Sequence, residues 1–221
     1  MQSCRIAELA EVLYLMEKRI LLFGGTFDPI HHGHLIVARA MAEAGPFEKV
    51  TFVPTSQPPH KAGPCASAKH RLRMLQLAIE GSELFDICEV EIGRAGPSYT
   101  LDTLTQLRAE YGPSARLHWV IGADMLEDLP SWHRISDVLE LAQMVVAARH
   151  PWQDRLDKIF SGLTGQLGAI HVNNLRKMVL PTPLIEICST DIRQRLAAGL
   201  SVRYLVPEKV AKYIQEHNLY V

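Results

Sequence analysis

Two histidines, His31 and His34, with Gly33 between them, are the residues of this chain best placed to do chemistry. They close the run Gly24-Gly25-Thr26-Phe27-Asp28-Pro29-Ile30-His31-His32-Gly33-His34. At a spacing of three, both fall on one side of a first helical turn. Imidazoles there can donate hydrogen bonds to phosphate oxygens and carry positive charge beside an anion. The glycine turn ahead of them offers backbone N–H groups, and a helix start adds the positive end of its dipole. Such a constellation grips phosphate. It is not a Walker loop, since GxxxxGK[ST] is absent, and no HExxH zinc helix occurs. A turn with merely solvated histidines is the plain alternative, and two histidines bracketing a glycine after GGTFDP speak against it.

Ser189-Thr190-Asp191-Ile192-Arg193 is a second phosphate candidate. Ser189 or Thr190 can cap a helix, and Asp191 suits its positive end. Arg193 opposes the dipole unless an anion binds there, which a fork-shaped guanidinium does well. The plain reading is a capped surface helix. Gly122-Ala123-Asp124 follows an apolar run, so Asp124 sits where it could accept from a ribose hydroxyl or cap a helix, and both roles can coexist. Thr100 reads equally as a helix cap or a ligand contact. Trp132 stands in the loop LPSWHR and could simply cover the core.

The elements that must position these residues alternate between strand-like and helix-like, the pattern of an α/β, Rossmann-like doubly wound parallel sheet. Residues 19–23 read as a buried first strand, followed by a helix over 35–44 that stops at Gly45-Pro46. Further strands are expected at 49–54, 85–92, 117–121, 144–148 and 184–188. Helices are expected at 69–80, 101–111, 136–142 and 191–198, with a last one from Pro207 to about His217. Periodicity is weak over 150–177. With no linker visible, residues 19–221 read as one domain, and residues 1–18 as an N-terminal extension. Its apolar stripe (Ile6, Leu9, Ala10, Val12, Leu13) is interrupted by Glu8 and Glu11 too early for a signal peptide. The preferred reading is an upstream start ahead of Met16, with a surface helix as the alternative.

At 221 residues, 48% hydrophobic and 21% charged, the chain can bury a substantial core. A net charge of −1 gives no footprint for sequence-independent nucleic-acid binding. No apolar run approaches a membrane span. Cys4, Cys65, Cys88 and Cys188 form no framework and suit a reducing cytoplasm.

The run GGTFDPIHHGHL resembles the signature of the HxGH nucleotidyltransferase superfamily, and within it the bacterial nicotinate mononucleotide adenylyltransferases. Pro58-Pro59-His60-Lys61, Pro97-Ser98-Tyr99-Thr100, Ile121-Gly122-Ala123-Asp124, Pro130-Ser131-Trp132 and the segment from Ser189 to Arg193 extend the resemblance in order over residues 19–221. It implies transfer of AMP from ATP, with Mg²⁺, to nicotinate mononucleotide, giving deamido-NAD and pyrophosphate. It implies that His31, His34 and Arg193 are catalytic. ATP would be held by these three with Gly24, Gly25, Thr26, Phe27, Gly122, Asp124, Ser189 and Thr190. Asp28, Lys61, Ser98, Thr100 and Trp132 would bind the mononucleotide, with Trp132 stacking on the pyridine ring while neighbouring amides hold its carboxylate. Lys61 would steer the substrate phosphate, although exposed lysines are usually only solvated.

Two departures stand out. Cys188 occupies a position where the family pattern leads one to expect serine, and Thr55 and Ser56 lie where asparagine is frequent. Phosphopantetheine adenylyltransferase shares GTFDP…GH but is shorter and lacks the PSYT and SWH segments. A class I aminoacyl-tRNA synthetase would need a KMSKS-like loop. A nucleotide sensor without turnover would not need both histidines and Arg193. The segments around Ser98 and Trp132 offer donors and no carboxylate, so the sequence favours the acid over the amide form of the mononucleotide. Nucleic acid and membrane are excluded as partners, and a homo-oligomer is left open.

Overall fold

The computed structural model describes residues 18–58, 64–148 and 152–221. The N-terminal extension expected at 1–18, Lys18 aside, and Lys61 lie outside the described residues. Among the described residues, six parallel strands form one sheet in the order β3-β2-β1-β4-β5-β6. They are β1 (Arg19–Gly25), β2 (Val50–Pro54), β3 (Phe85–Ile87), β4 (Arg116–Gly122), β5 (Gln143–Ala148) and β6 (Val179–Pro181). β1 pairs with β2 on one side and β4 on the other, with Leu21 opposite Val50 and His118. The order reverses between β1 and β4, and that carboxyl-edge crevice is where open α/β sheets bind ligands.

The strands are apolar runs because both faces are covered. Ile20 and Leu22 of β1 enter a core shared with α3 (Thr100–Tyr111), α4 (Ile135–Leu141), α5 (Leu156–Leu167) and α6 (Ala169–Lys177). Leu21 points the other way, into a core with α1 (His32–Ala44), α2 (Ala68–Ile79), α7 (Ser189–Ala197) and α8 (Glu208–Glu216).

Four expectations need correction. The third strand ends at Ile87 because the chain then turns, with Ile92 N–H bonding Glu89 and Arg94 N–H bonding Glu91. The last strand is β6 rather than 184–188. Pro181 and Pro183 lack the amide hydrogens a longer ladder needs, and Leu184 is exposed. The weakly periodic stretch holds two helices, α5 and α6, broken at Gly168 with φ of 81°. Thr100 does not cap α3: Tyr99 is the N-cap and no side chain closes that end.

Candidate active site

At the carboxyl edge of β1 the chain turns through Thr26–Pro29 and enters α1 with His31 as its N-cap. The helix start is closed by the two histidines themselves. His34 N–H donates to His31 Nδ1 and His31 N–H to His34 Nδ1, each at 3.3 Å. Their rings stack with centroids 3.6 Å apart. Gly33 sits tightly in this packing, since a Cβ there would lie 3.0 Å from His31 Nδ1 and press on that ring. The Phe27 ring meets His34 edge-on at 5.1 Å.

This geometry fixes the tautomer. Each Nδ1 accepts a backbone N–H, so each neutral ring carries its proton on Nε2 and can donate outward. Burial, helped by His32, lowers the His31 pKa to about 4. Burial, helped by His31, also holds His34 well below its usual value. Both rings are therefore neutral near pH 7 and stand as a pair of Nε2–H donors.

The second phosphate segment docks onto the same turn. Arg193 Nη1 donates to the Asp28 carbonyl at 2.7 Å and Nη2 to Thr190 Oγ1 at 3.2 Å. Ser189 Oγ donates to the Pro29 carbonyl at 2.9 Å. The N-cap of α7 is Cys188, whose Sγ accepts the Asp191 N–H at 3.5 Å, so neither Ser189 nor Thr190 caps the helix as expected. An anchored guanidinium explains how a cation is held in a first turn.

Asp28 serves the fold. Its carboxylate, 4% exposed, accepts from Cys65 N–H at 2.7 Å, Ala66 N–H at 3.1 Å and Tyr220 Oη at 2.6 Å. The resemblance implies a contact with the mononucleotide, and the carboxylate seen here is engaged by the protein's own donors. Phe27 likewise has its side chain 2% exposed in the core. Arg71, fully buried on α2, was not singled out from sequence. It donates to the carbonyls of Ala66, Thr26 and Ser56 at 3.2, 2.7 and 3.0 Å, tying three loops of the site together. Its spacing from Met74 and Leu75, on the buried face of α2, was the available signal. Tyr220, the last residue but one of the sequence, carried no such signal.

Beside the turn lies a cavity of about 310 Å³. Gly24, Gly25, Thr26, Ser98, Thr100, Gly122 and Trp132 line it, together with Glu91, Tyr99, Trp119 and His133. Gly24 is required because a Cβ there would meet the Trp119 ring at 2.4 Å. Tyr99 and His133 rings lie 4.6 Å apart. Asp124 is exposed next to this wall, inside a short 3₁₀ turn (Ala123–Met125) whose N-cap is Gly122, so Asp124 is not the cap of that turn. Two expected amide donors are already used, because Ser131 N–H bonds Asp128 and Trp132 N–H bonds Leu129. A pocket free of carboxylates is also overturned, since the chain reversal after β3 brings in Glu91.

A helix start that presents two imidazole donors beside a cavity at the switch point agrees with the sequence comparison. The cytidylyltransferase-like family model matches residues 22–195. The chain belongs to the cytidylyltransferase-like family. Within this family it is 46% identical over 203 residues to a probable nicotinate-nucleotide adenylyltransferase of Thermomicrobium roseum, covering 91% of each chain. A protein of Pectobacterium atrosepticum with the same description is 42% identical, covering 90% of this chain and 96% of its own. The fold matches Plasmodium falciparum nicotinic acid mononucleotide adenylyltransferase complexed with NaAD. The TM-score is 0.70 at 18% identity, over 92% of this chain and 97% of that one. Among the described residues no helix is long and apolar enough to cross a membrane.

Proposed function

We propose that this member of the cytidylyltransferase-like family is a nicotinate mononucleotide adenylyltransferase acting in NAD biosynthesis. The observation that carries the reading is the neutral histidine pair at the start of α1, beside a cavity walled by Trp132. The names of the relatives at 42–46% identity support it. In the reaction a phosphate oxygen of the mononucleotide bonds to the α-phosphorus of ATP, and the bond to the leaving pyrophosphate breaks. No protein nucleophile is needed, so the chain contributes position and charge stabilisation. His31 and His34 donate through Nε2–H to oxygens of the reacting phosphorus, where charge builds in the transition state. Arg193, held over the Asp28 turn, faces the pyrophosphate end. Trp132 packs on the pyridine ring, and Asp124 accepts from a ribose hydroxyl.

Among the described residues no group of three His, Cys, Asp or Glu is arranged to hold a metal. Mg²⁺ fits here as an ion carried by the triphosphate, keeping its waters and neutralising phosphate charge. Cys65, Cys88 and Cys188 are free thiols, consistent with a cytoplasmic enzyme.

Pyrophosphate release from ATP, measured with nicotinate mononucleotide, nicotinamide mononucleotide and phosphopantetheine as acceptors, tests this. Fastest release with nicotinate mononucleotide is expected. Preference for phosphopantetheine, or nucleotide binding with no release, would reject it.

A further inference from the structure

Carbonyls of the turn after β1 are held by side chains from elsewhere in the fold. Thr26 is bound by Arg71 of α2, and Asp28 and Pro29 by Arg193 and Ser189 of α7. Asp28 is gripped at both ends. Its main-chain carbonyl accepts from Arg193 Nη1, while its carboxylate accepts Cys65 N–H on Oδ2 and Ala66 N–H on Oδ1. The third donor to that carboxylate is Tyr220, whose hydroxyl reaches Oδ1 at 2.6 Å from beyond the end of α8.

The backbone takes an unfavourable path to deliver that hydroxyl. Asn218 and Tyr220 have φ of 48° and 67°, in the left-handed region that residues with a Cβ disfavour. Such conformations persist where surrounding contacts over-determine them, and they gather at functional sites. Here Leu219 N–H donates to the Ile214 carbonyl at 3.0 Å, and the Leu219 and Tyr220 side chains pack on the core. That packing needs only the ring of Tyr220, and a phenylalanine would supply it. The hydroxyl adds a bond to a buried carboxylate. Burial and the Asp28 charge keep it protonated, against the nearby guanidiniums of Arg193 and Arg71, so it donates.

We infer that Tyr220 is a positioning residue for the transfer, acting through Asp28 to fix where Arg193 places its guanidinium. The inference rests on the adenylyltransferase reading, in which Arg193 faces the pyrophosphate end. The other bond of that guanidinium, from Nη2 to Thr190 Oγ1 at 3.2 Å, stays within the start of α7. It cannot register Arg193 against the histidine turn. The Nη1 bond to the Asp28 carbonyl at 2.7 Å does, because Asp28 lies three residues before His31. An Asp28 that lost its Tyr220 donor would turn towards another, and its carbonyl would carry Arg193 with it. Fixed donors stabilise leaving-group charge only when they are held in place, so the displacement is felt in kcat.

The test is kcat and KM, well below the melting temperature, in the wild type, Tyr220→Phe, Tyr213→Phe, Arg193→Lys and the double variant Tyr220→Phe with Arg193→Lys. Tyr213 is the control, since its hydroxyl shares a hydrogen bond with His70 Nδ1 at 2.9 Å and joins α8 to α2 without passing through Asp28. Tyr220→Phe should lower kcat about fivefold and move the KM for nicotinate mononucleotide by less than about twofold. Tyr213→Phe should keep kcat within about twofold. In the Arg193→Lys background, where no planar fork spans Asp28 and Thr190, Tyr220→Phe should change kcat by less than about twofold. An unchanged kcat in Tyr220→Phe overturns the inference, and so does an equal fall in Tyr213→Phe, which would mean general loosening. A loss that persists in full beside Arg193→Lys would route the effect elsewhere and also overturns it. Should Arg193→Lys be too slow to follow, the two tyrosine variants decide alone. Failure of Tyr220→Phe to fold would make the hydroxyl a folding contact and overturns the inference as well. A wild type that transfers to no mononucleotide overturns the functional reading, whereas transfer with kcat unmoved in Tyr220→Phe overturns the inference alone.

Discussion

The two halves of the site handle their polar groups in opposite ways. Around the Asp28 turn, nearly every hydrogen-bonding group is spent on the protein itself. The histidines cap each other, Ser189 and Arg193 hold backbone carbonyls, and Asp28 gathers three donors. In the cavity half, Glu91 Oε2 and Ser98 Oγ are buried and unpartnered, and the Asp124 carboxylate is exposed. The first half is organised before substrate arrives, as transition-state stabilisation by fixed dipoles requires. The second leaves the Asp124 carboxylate exposed beside a cavity of about 310 Å³.

Removing a donor from the organised half should give the largest effect. His34→Ala is expected to lower kcat by about 10²–10³-fold while changing the KM for ATP far less, because the donor matters most in the transition state. Steady-state kinetics with saturating mononucleotide measures this. Near-normal turnover would move catalysis away from the histidines.

The neutral state of the pair sharpens the contrast through stability. The His31 pKa is lowered from 6.5 to about 4 on folding, so between those values the unfolded chain binds more protons than the folded one. Stability should therefore be highest above pH 6.5 and fall as pH drops towards 4, by about 3 kcal/mol for this group alone. Urea titrations across that window should show the slope in the wild type and a shallower one in His31→Asn. An equal slope in both would contradict the assignment.

The smallest effect probes how the turn is tied down. Tyr220→Phe removes one of the three donors to Asp28. About 1 kcal/mol of stability should be lost, seen as a fall of about 2–4 °C in Tm for a domain of this size. An unchanged Tm would mean the chain's end does not brace the site.

Much of this arrangement was legible in the sequence. β1, β2, β4 and β5 are largely apolar runs, and the glycine-histidine run marked the turn into α1 without any contact information. Strand β6 was hidden because Val179 and Leu180 are only two apolar residues before Pro181, and a longer apolar-looking stretch follows. α5 was readable in principle, since Leu156, Ile159, Phe160 and Leu163 recur at helical spacing. What sequence could not supply is tertiary. Asp28 sits among motif residues, but only its three distant donors show that its carboxylate is structural. Glu91 reads as one of several acids in an alternating stretch, and only the turn after Ile87 carries it into the cavity.

The central claim is that the site works through neutral imidazole donors. Its most direct test is the dependence of kcat on pH between about 7.5 and 9, above the range in which phosphates take their last proton. Neutral Nε2–H donors predict a level profile. If catalysis instead required imidazolium, kcat would fall about tenfold for each unit of pH, and the account would be wrong.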